Sequence, residues 1–227
     1  MRVAFLSEGA TDVGFAPGAR RDEPWRHGPL LRILVERILG AEGRLEPLQH
    51  DRLRFLLGVD PRLLCRKAAG LVRACVAYGA EAAVIVVDRD RTPGRERLGK
   101  LVAQREGLRS DRERPLLVPI SVGVAVETIE AWLLADEVVL CEVLGLPHPA
   151  QPKGSPEALD GTPGQANHPK CVLNQHLSRD THPGRHFLDQ AMEIARHMDL
   201  EKVARVCPQG FAPFREDVIS ELGPHFR

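Results

Sequence analysis

Apolar residues follow two rhythms along this chain. "RVAFLS" (2–7) and "EAAVIVVDRD" (81–90) carry short, near-continuous aliphatic runs, the pattern of strands buried on both faces. In "PLLRILVERILG" (29–40), "DPRLLCRKAAGLVRACVAYGA" (60–80) and "GRERLGKLVAQREG" (94–107), apolar positions return every three or four residues, which predicts helices. Asp60 and Pro61 read as N-cap and first-turn residue of the second of these. "RLEPLQH" (44–50) predicts a weak strand that Pro47 confines to a sheet edge. "RPLLVPIS" (114–121) predicts the last strand, and "VETIEAWLLADEVVLCEVLG" (126–145) a helix or helix pair. Strand and helix patterns alternate, so the expected fold is α/β: a mainly parallel sheet of four or more strands with helices on both faces.

After Gly145 the texture changes. "LPHPAQPKGSPEALDGTPGQANHPK" holds six prolines and cannot continue a sheet core. Helical spacing resumes in "HFLDQAMEIARHMDLEKVARVCPQGFAPFREDVISELG", read as two or three short helices packing back on the sheet. The organisation read from this is a core over 1–145, a proline-rich loop or lid over 146–186, and a helical segment over 187–227.

"VIVVDRDRT" (84–92) carries the sharpest chemical signal, because a buried strand ends there on Asp88 and Asp90. In an open parallel sheet, ligands bind beyond the carboxyl ends of the strands. Residues two apart point to one side of an extended chain, so both carboxylates can face a common site. Such close anions repel unless something positive neutralises them. A divalent cation in an all-oxygen shell, Mg²⁺ or Mn²⁺ rather than zinc, would do so. An arginine would do so too, and Arg89, Arg91 and Arg95 are adjacent, which leaves a solvated turn laced with salt bridges as the alternative. Glu8 and Asp12 follow the first strand at the same edge. Glu127 and Glu130, three residues apart, fall on one face of the predicted helix after the last strand. Glu130 lies among Ile129, Trp132, Leu133 and Leu134, where an unpaired carboxylate is costly.

Composition narrows the partners. Thirty-one basic and thirty-one acidic residues cancel, so no global field draws in polyanions, and any such partner must meet a local patch. No apolar run approaches the roughly 20 residues that span a bilayer, so no membrane partner is expected and the location read is cytoplasmic. Five widely spaced cysteines without a CxxC pair read as reduced thiols. The segment with His168, His176, His182, His186 and Cys171 lacks the paired short spacings of structural zinc modules. There is no GxxxxGK[ST] loop for nucleotide phosphates and no G-x-S-x-G nucleophile elbow.

"SEGATD", "VVDRD" and "VETIEAWLLAD", in that order, resemble the Toprim metal-binding signature, in which a Glu follows the first strand and an Asp-x-Asp a later one. The third block is closer to one Toprim-like branch, domain-of-unknown-function family 4276, which is related to the nuclease domains of OLD-type (overcoming lysogenization defect) proteins. The likeness continues through "SPEALDGTPGQANHPKCVL", similar to that family's Pro-Glu then Pro-Lys stretch, and "CPQGFAPF", similar to its Cys-Pro-x-Phe-x-x-Phe segment. This chain departs from the pattern in a long arginine-containing loop over 15–28 and in the inserted Pro163-Gly164.

The resemblance implies that Glu8, Asp88, Asp90 and Glu130 bind Mg²⁺ or Mn²⁺ and catalyse phosphodiester cleavage, with Asp12 and Glu127 as further candidate ligands. Lys170 and Trp132 also match motif positions. Arg89, Arg91, Arg95 and Lys100, clustered behind the Asp pair, and Lys170 are the candidates to hold substrate phosphates. The implied partners are nucleic acid, with DNA favoured over RNA, and a separate OLD-type (ABC-class) ATPase, in defence against phage or plasmids. A homo-oligomer is a further candidate. The competing expectation is a catalytically silent Toprim-like subunit used for interaction or nucleotide binding.

Overall fold

A computed structural model describes residues 1–7, 30–48, 61–89, 94–147, 154–159, 161, 164–181 and 187–226, without the side chains of 61–66, 94, 95, 187 and 188. Four strands form one sheet: β1 (Arg2–Ser7), β2 (Glu46–Pro47), β3 (Ala82–Asp88) and β4 (Ile120–Ala125). The spatial order is β2-β1-β3-β4, and every pairing is parallel. The register aligns Ser7 with Val86 and Asp88 with Ala125. β2 is the short edge strand that Pro47 dictates, held by Glu46 N–H to Met1 O and Leu48 N–H to Val3 O.

Alternation along β1 and β3 divides the core into two layers. Ala4, Leu6, Ala83, Ile85 and Val87, with Ile120, Val122 and Val124 of β4, face α2 (Pro61–Ala77) and α3 (Gly94–Ser110). Val3, Phe5, Ala82, Val84 and Val86 face the opposite, larger helical layer. That layer comprises α1 (Leu30–Leu39), α4 (Glu130–Leu134), α5 (Glu137–Leu144), α6 (Pro169–Leu177), α7 (Phe187–His197), α8 (Leu200–Val206) and α9 (Phe211–Glu221). The expected α/β fold is therefore present, the 126–145 stretch contains a helix pair over 130–144, and the described residues after 187 form helices joined by short turns. The predicted N-cap Asp60 lies outside the described residues.

The last strand differs from its prediction. Residues 114–119 form no strand, and β4 starts at Ile120, where the predicted strand ends. Pro115 and Pro119 remove ladder donors from the apolar "RPLLVPIS" run, and Leu117 is 83% exposed. The observed strand, "ISVGVA", is disguised by Ser121 and Gly123 on its second face. Gly123 is required there, because an added Cβ would lie 2.6 Å from Cδ2 of Phe214 on α9. Phe214 in turn stacks on Trp132 of α4 with ring centroids 5.3 Å apart.

The outer edge of β4 is sealed by side chains. Asp217 of α9 accepts from Val122 N–H (2.8 Å) and, through both carboxylate oxygens, from Arg105 Nη1 of α3 (2.8 and 2.9 Å). The same Nη1 donates to Ile120 O (3.2 Å). One ion pair thus satisfies the unpaired strand edge and joins both helical layers.

Candidate functional site

β2 lies on one side of β1 and β3 on the other, so the chain reverses direction across the sheet between β1 and β3. The carboxyl-end crevice at such a reversal is where open α/β sheets bind ligands. Ser7 and Asp88 close the two flanking strands. By alternation Asp88 continues Ala82, Val84 and Val86, which puts it on the face covered by α4. Glu130 is the first residue of α4, with a side chain 12% exposed. Asp88 and Glu130 thus share one face of the sheet. Glu8, Asp12, Asp90 and Arg91 lie outside the described residues, as does the side chain of Arg95 on α3.

The backbone that carries Asp88 is fixed on both sides. Arg89 N–H donates to Ala125 O at 2.9 Å, which extends the ladder one residue past β3, and Arg97 Nη1 of α3 donates to Asp88 O. The Arg89 guanidinium grips Glu127, with Nε 3.1 Å from Oε1 and Nη2 bonded to the same oxygen. Arg89 therefore serves an internal carboxylate rather than lying open to solvent.

Glu127 does not share a helix face with Glu130. It stands between β4 and α4 with φ at 61°, a left-handed conformation uncommon for a bulky residue, in a turn closed by Thr128 N–H to Val126 O at 2.9 Å. The helix begins four residues later than its apolar spacing suggests, because the chain bends to deliver this carboxylate to Arg89.

Glu130 meets a cation from a distance in sequence, whereas Lys100 stays on its own helix. Lys170 on α6 brings Nζ to 3.8 Å from Glu130 Oε1, while Lys100 pairs with Glu96 on the outer surface of α3 at 2.5 Å. His168 is the N-cap of α6: its Nδ1 accepts from Lys170 N–H at 3.3 Å, and the residue is buried.

Glu157 has no role in the sequence reading, yet it sits at the centre of this region. It lies in a short 3₁₀ turn (Pro156–Ala158) and is 5% exposed. Its carboxylate accepts from Gln209 N–H (2.9 Å) and Gly210 N–H (2.7 Å) at the start of α9. Burial pushes this carboxyl above the usual range, against those donors, Phe211 N–H and the nearby Arg89 guanidinium. The only sequence signal for it was that "SPEALDG" and "CPQGFAPF" both carry motif-like residues; the fold shows that the two stretches touch.

An all-carboxylate donor set of this kind suits a hard cation such as Mg²⁺ or Mn²⁺, which keeps several waters. Asp88 and Glu130 are the described candidates for that role on one sheet face, Glu130 already facing Lys170. Glu127 is already engaged by Arg89. Among the described residues no group of three or more His, Cys, Asp or Glu is arranged to hold a metal, and two of the four acids expected to do so are outside that set.

A family model described as "Domain of unknown function (DUF4276)" matches residues 30–218. The chain belongs to the DUF4276 family. The match runs from α1 to the middle of α9, so Asp88, Glu127, Glu130, Glu157, Lys170 and the Asp217 edge clamp all fall within the DUF4276 region. No curated protein and no solved structure matches the chain. No helix among the described residues is long and apolar enough to cross a membrane.

Proposed function

We propose that this DUF4276 protein is a Mg²⁺- or Mn²⁺-dependent phosphodiesterase of the Toprim type that cuts nucleic acid. The observation that carries the reading is Asp88 at the carboxyl end of β3, beside the reversal between β1 and β3, with Glu130 opening the helix that follows β4 on the same sheet face. The likeness of the "SEGATD", "VVDRD" and "VETIEAW" blocks to Toprim and OLD-type nuclease domains adds Glu8 and Asp90 to the same set.

In this reading Asp88, Asp90 and Glu130 hold the metal, and Glu8 completes the shell or takes the proton from the attacking water. A bound divalent ion would supply water activation and neutralise charge on the entering and leaving oxygens. Arg91, Arg95 and Lys100 would contact the strand's phosphates, positioning it without choosing its sequence. Lys170, whose ammonium is 3.8 Å from Glu130, is placed to exchange that carboxylate for a substrate phosphate. The balanced net charge leaves little long-range attraction for DNA, which supports a role for a second copy or a separate OLD-type ATPase in loading the substrate. Defence against phage or plasmids is the setting this implies.

A silent interaction subunit is the second reading, favoured by the internal pairing of Glu127 with Arg89 and Glu130 with Lys170. Cleavage assays on supercoiled DNA, linear DNA and RNA with Mg²⁺ or Mn²⁺ separate the two. The nuclease reading requires cleavage by the wild type, alone or with its ATPase, and loss of it in Asp88→Ala with the fold retained. Wild-type activity in Asp88→Ala would sink it.

A further inference from the structure

We infer that Glu127 is a positioning residue that fixes the exit of β3 at Asp88 through Arg89, and is not itself a metal ligand. The inference rests on the metal-centre reading above. It begins with the backbone of Glu127: φ is 61°, and Thr128 N–H closes onto Val126 O at 2.9 Å, two residues back. A three-residue turn with a positive φ at its centre is the rarer and strained kind of γ-turn. Nothing local calls for it, since neither glycine nor asparagine occupies the position. Such strain persists only where the surroundings over-determine it, and it gathers at functional sites.

The neighbouring Thr128 Oγ1 is buried without a hydrogen-bond partner among the described residues. A segment shaped for stability alone would satisfy that hydroxyl.

The turn achieves one thing. It drives the Glu127 carboxylate, 9% exposed, onto the guanidinium of the residue between the two aspartates. In extended backbone neighbouring side chains point to opposite sides, so gripping Arg89 from one side helps to fix where Asp88 aims on the other. Arg89 N–H on Ala125 O and Arg97 Nη1 on Asp88 O hold the same peptide units, leaving the Arg89 side chain as the remaining handle. Glu157 stands close enough to Arg89 to add its field to that grip. With Oε1 receiving two N–H donors from one guanidinium, Glu127 is committed inward. Partners bonded directly to metal ligands tune the site, and Glu127 acts one step further out, through the residue that follows Asp88.

The test uses the full-length chain, Mn²⁺ alone as probe, and electron paramagnetic resonance to count the free ion. Wild type, Glu127→Gln, Arg89→Met and the double variant are compared, each checked for a retained unfolding midpoint. Glu127→Gln is expected to weaken Mn²⁺ binding measurably, by up to the roughly tenfold that marks the low end for losing a partner bonded directly to a ligand. Arg89→Met should do the same, and the double variant should be no worse than Arg89→Met, because one residue acts only through the other. Losses that multiply in the double variant would make Glu127 an independent ligand and overturn the inference, as would unchanged affinity in Glu127→Gln. The Arg89 Nε–H proton resonance gives a metal-free readout: it should be protected from exchange in the wild type and lose protection in Glu127→Gln, and equal protection in both refutes the grip. A wild type that binds no Mn²⁺ while its Arg89 resonance is protected overturns the metal-centre reading, and is recognised before any substitution is made.

Discussion

Removing the Asp217 carboxylate should loosen the outer edge of the sheet. Asp217→Ala deletes the acceptor of Val122 N–H and both oxygens that receive Arg105 Nη1. Val122 is buried, so its orphaned N–H costs about 1–3 kcal/mol. Arg105 is not stranded, because Ile120 O at 3.2 Å and Glu221 Oε1 at 3.4 Å remain. Its loss should therefore fall well below the ~3–5 kcal/mol of a buried pair broken without compensation. A total near 3 kcal/mol follows, and at ~2–4 °C per kcal/mol for a chain of this size the melting midpoint should fall by ~6–12 °C. Asp217→Asn keeps an oxygen for Val122 N–H and should lose only about 1.5 kcal/mol, the low end for a contact to a charged group. Calorimetry on the two variants decides the matter. A fall of less than about 3 °C in Asp217→Ala, or equal damage in both, would show that the edge is satisfied some other way.

Three further outcomes can be checked. Gly123→Ala should destabilise by about 1–3 kcal/mol through overpacking against Phe214, measured by urea unfolding, and the penalty should shrink in a Phe214→Leu background. Asp136 is buried, which opposes its ionisation, but Asp199 N–H (2.9 Å) and Lys202 Nζ (2.5 Å) prevail and hold its carboxyl below the usual range. Its ionised form is thus favoured by folding: the stability it adds is complete above the ordinary carboxylate value of 3.8 and is lost as pH falls through the lower folded value. Asp136→Asn should melt below wild type at pH 7 and converge with it under acid; a gap that widens on acidification refutes the assignment. Finally, burial pushes the Cys75 thiol up to about 12 and the Cys207 thiol higher still, so peptide-level mapping should find both unmodified by a thiol reagent until the chain unfolds.

The fold was largely legible because its strands and helices are written in local periodicity. β1 spans the predicted 2–7, the 81–90 run contains β3, and α2 begins at the predicted Pro61. β4 was misplaced because its distinguishing residues answer to distant partners. Ser121 and Gly123 are small on the face where Phe214 arrives from ninety-odd positions away, and no local rule reports that. The bend at Glu127 was hidden for the same reason: Val126, Glu127 and Thr128 read as a plausible helix start until Arg89 is known to wait for the carboxylate. Asp88 and Glu130 could be assigned to the carboxyl-end side of the sheet because strand ends and the helix starts that follow them lie there in parallel sheets. Glu157 could not, since its partners at 209–211 are backbone amides, which carry no mark in a sequence.

The edge clamp also has a consequence for how the chain emerges during synthesis. Val122 and the aspartate that closes its N–H are 95 residues apart. At about 5–20 residues per second, β4 spends roughly 5–20 s translated before its seal exists. Throughout that interval an aliphatic strand presents open backbone to any other nascent edge. The rate of production in the cell, rather than the final stability, then governs the yield of intact protein: slower elongation through 123–217 lengthens the vulnerable window, while a chaperone that occupies β4 stands in for α9 until it arrives.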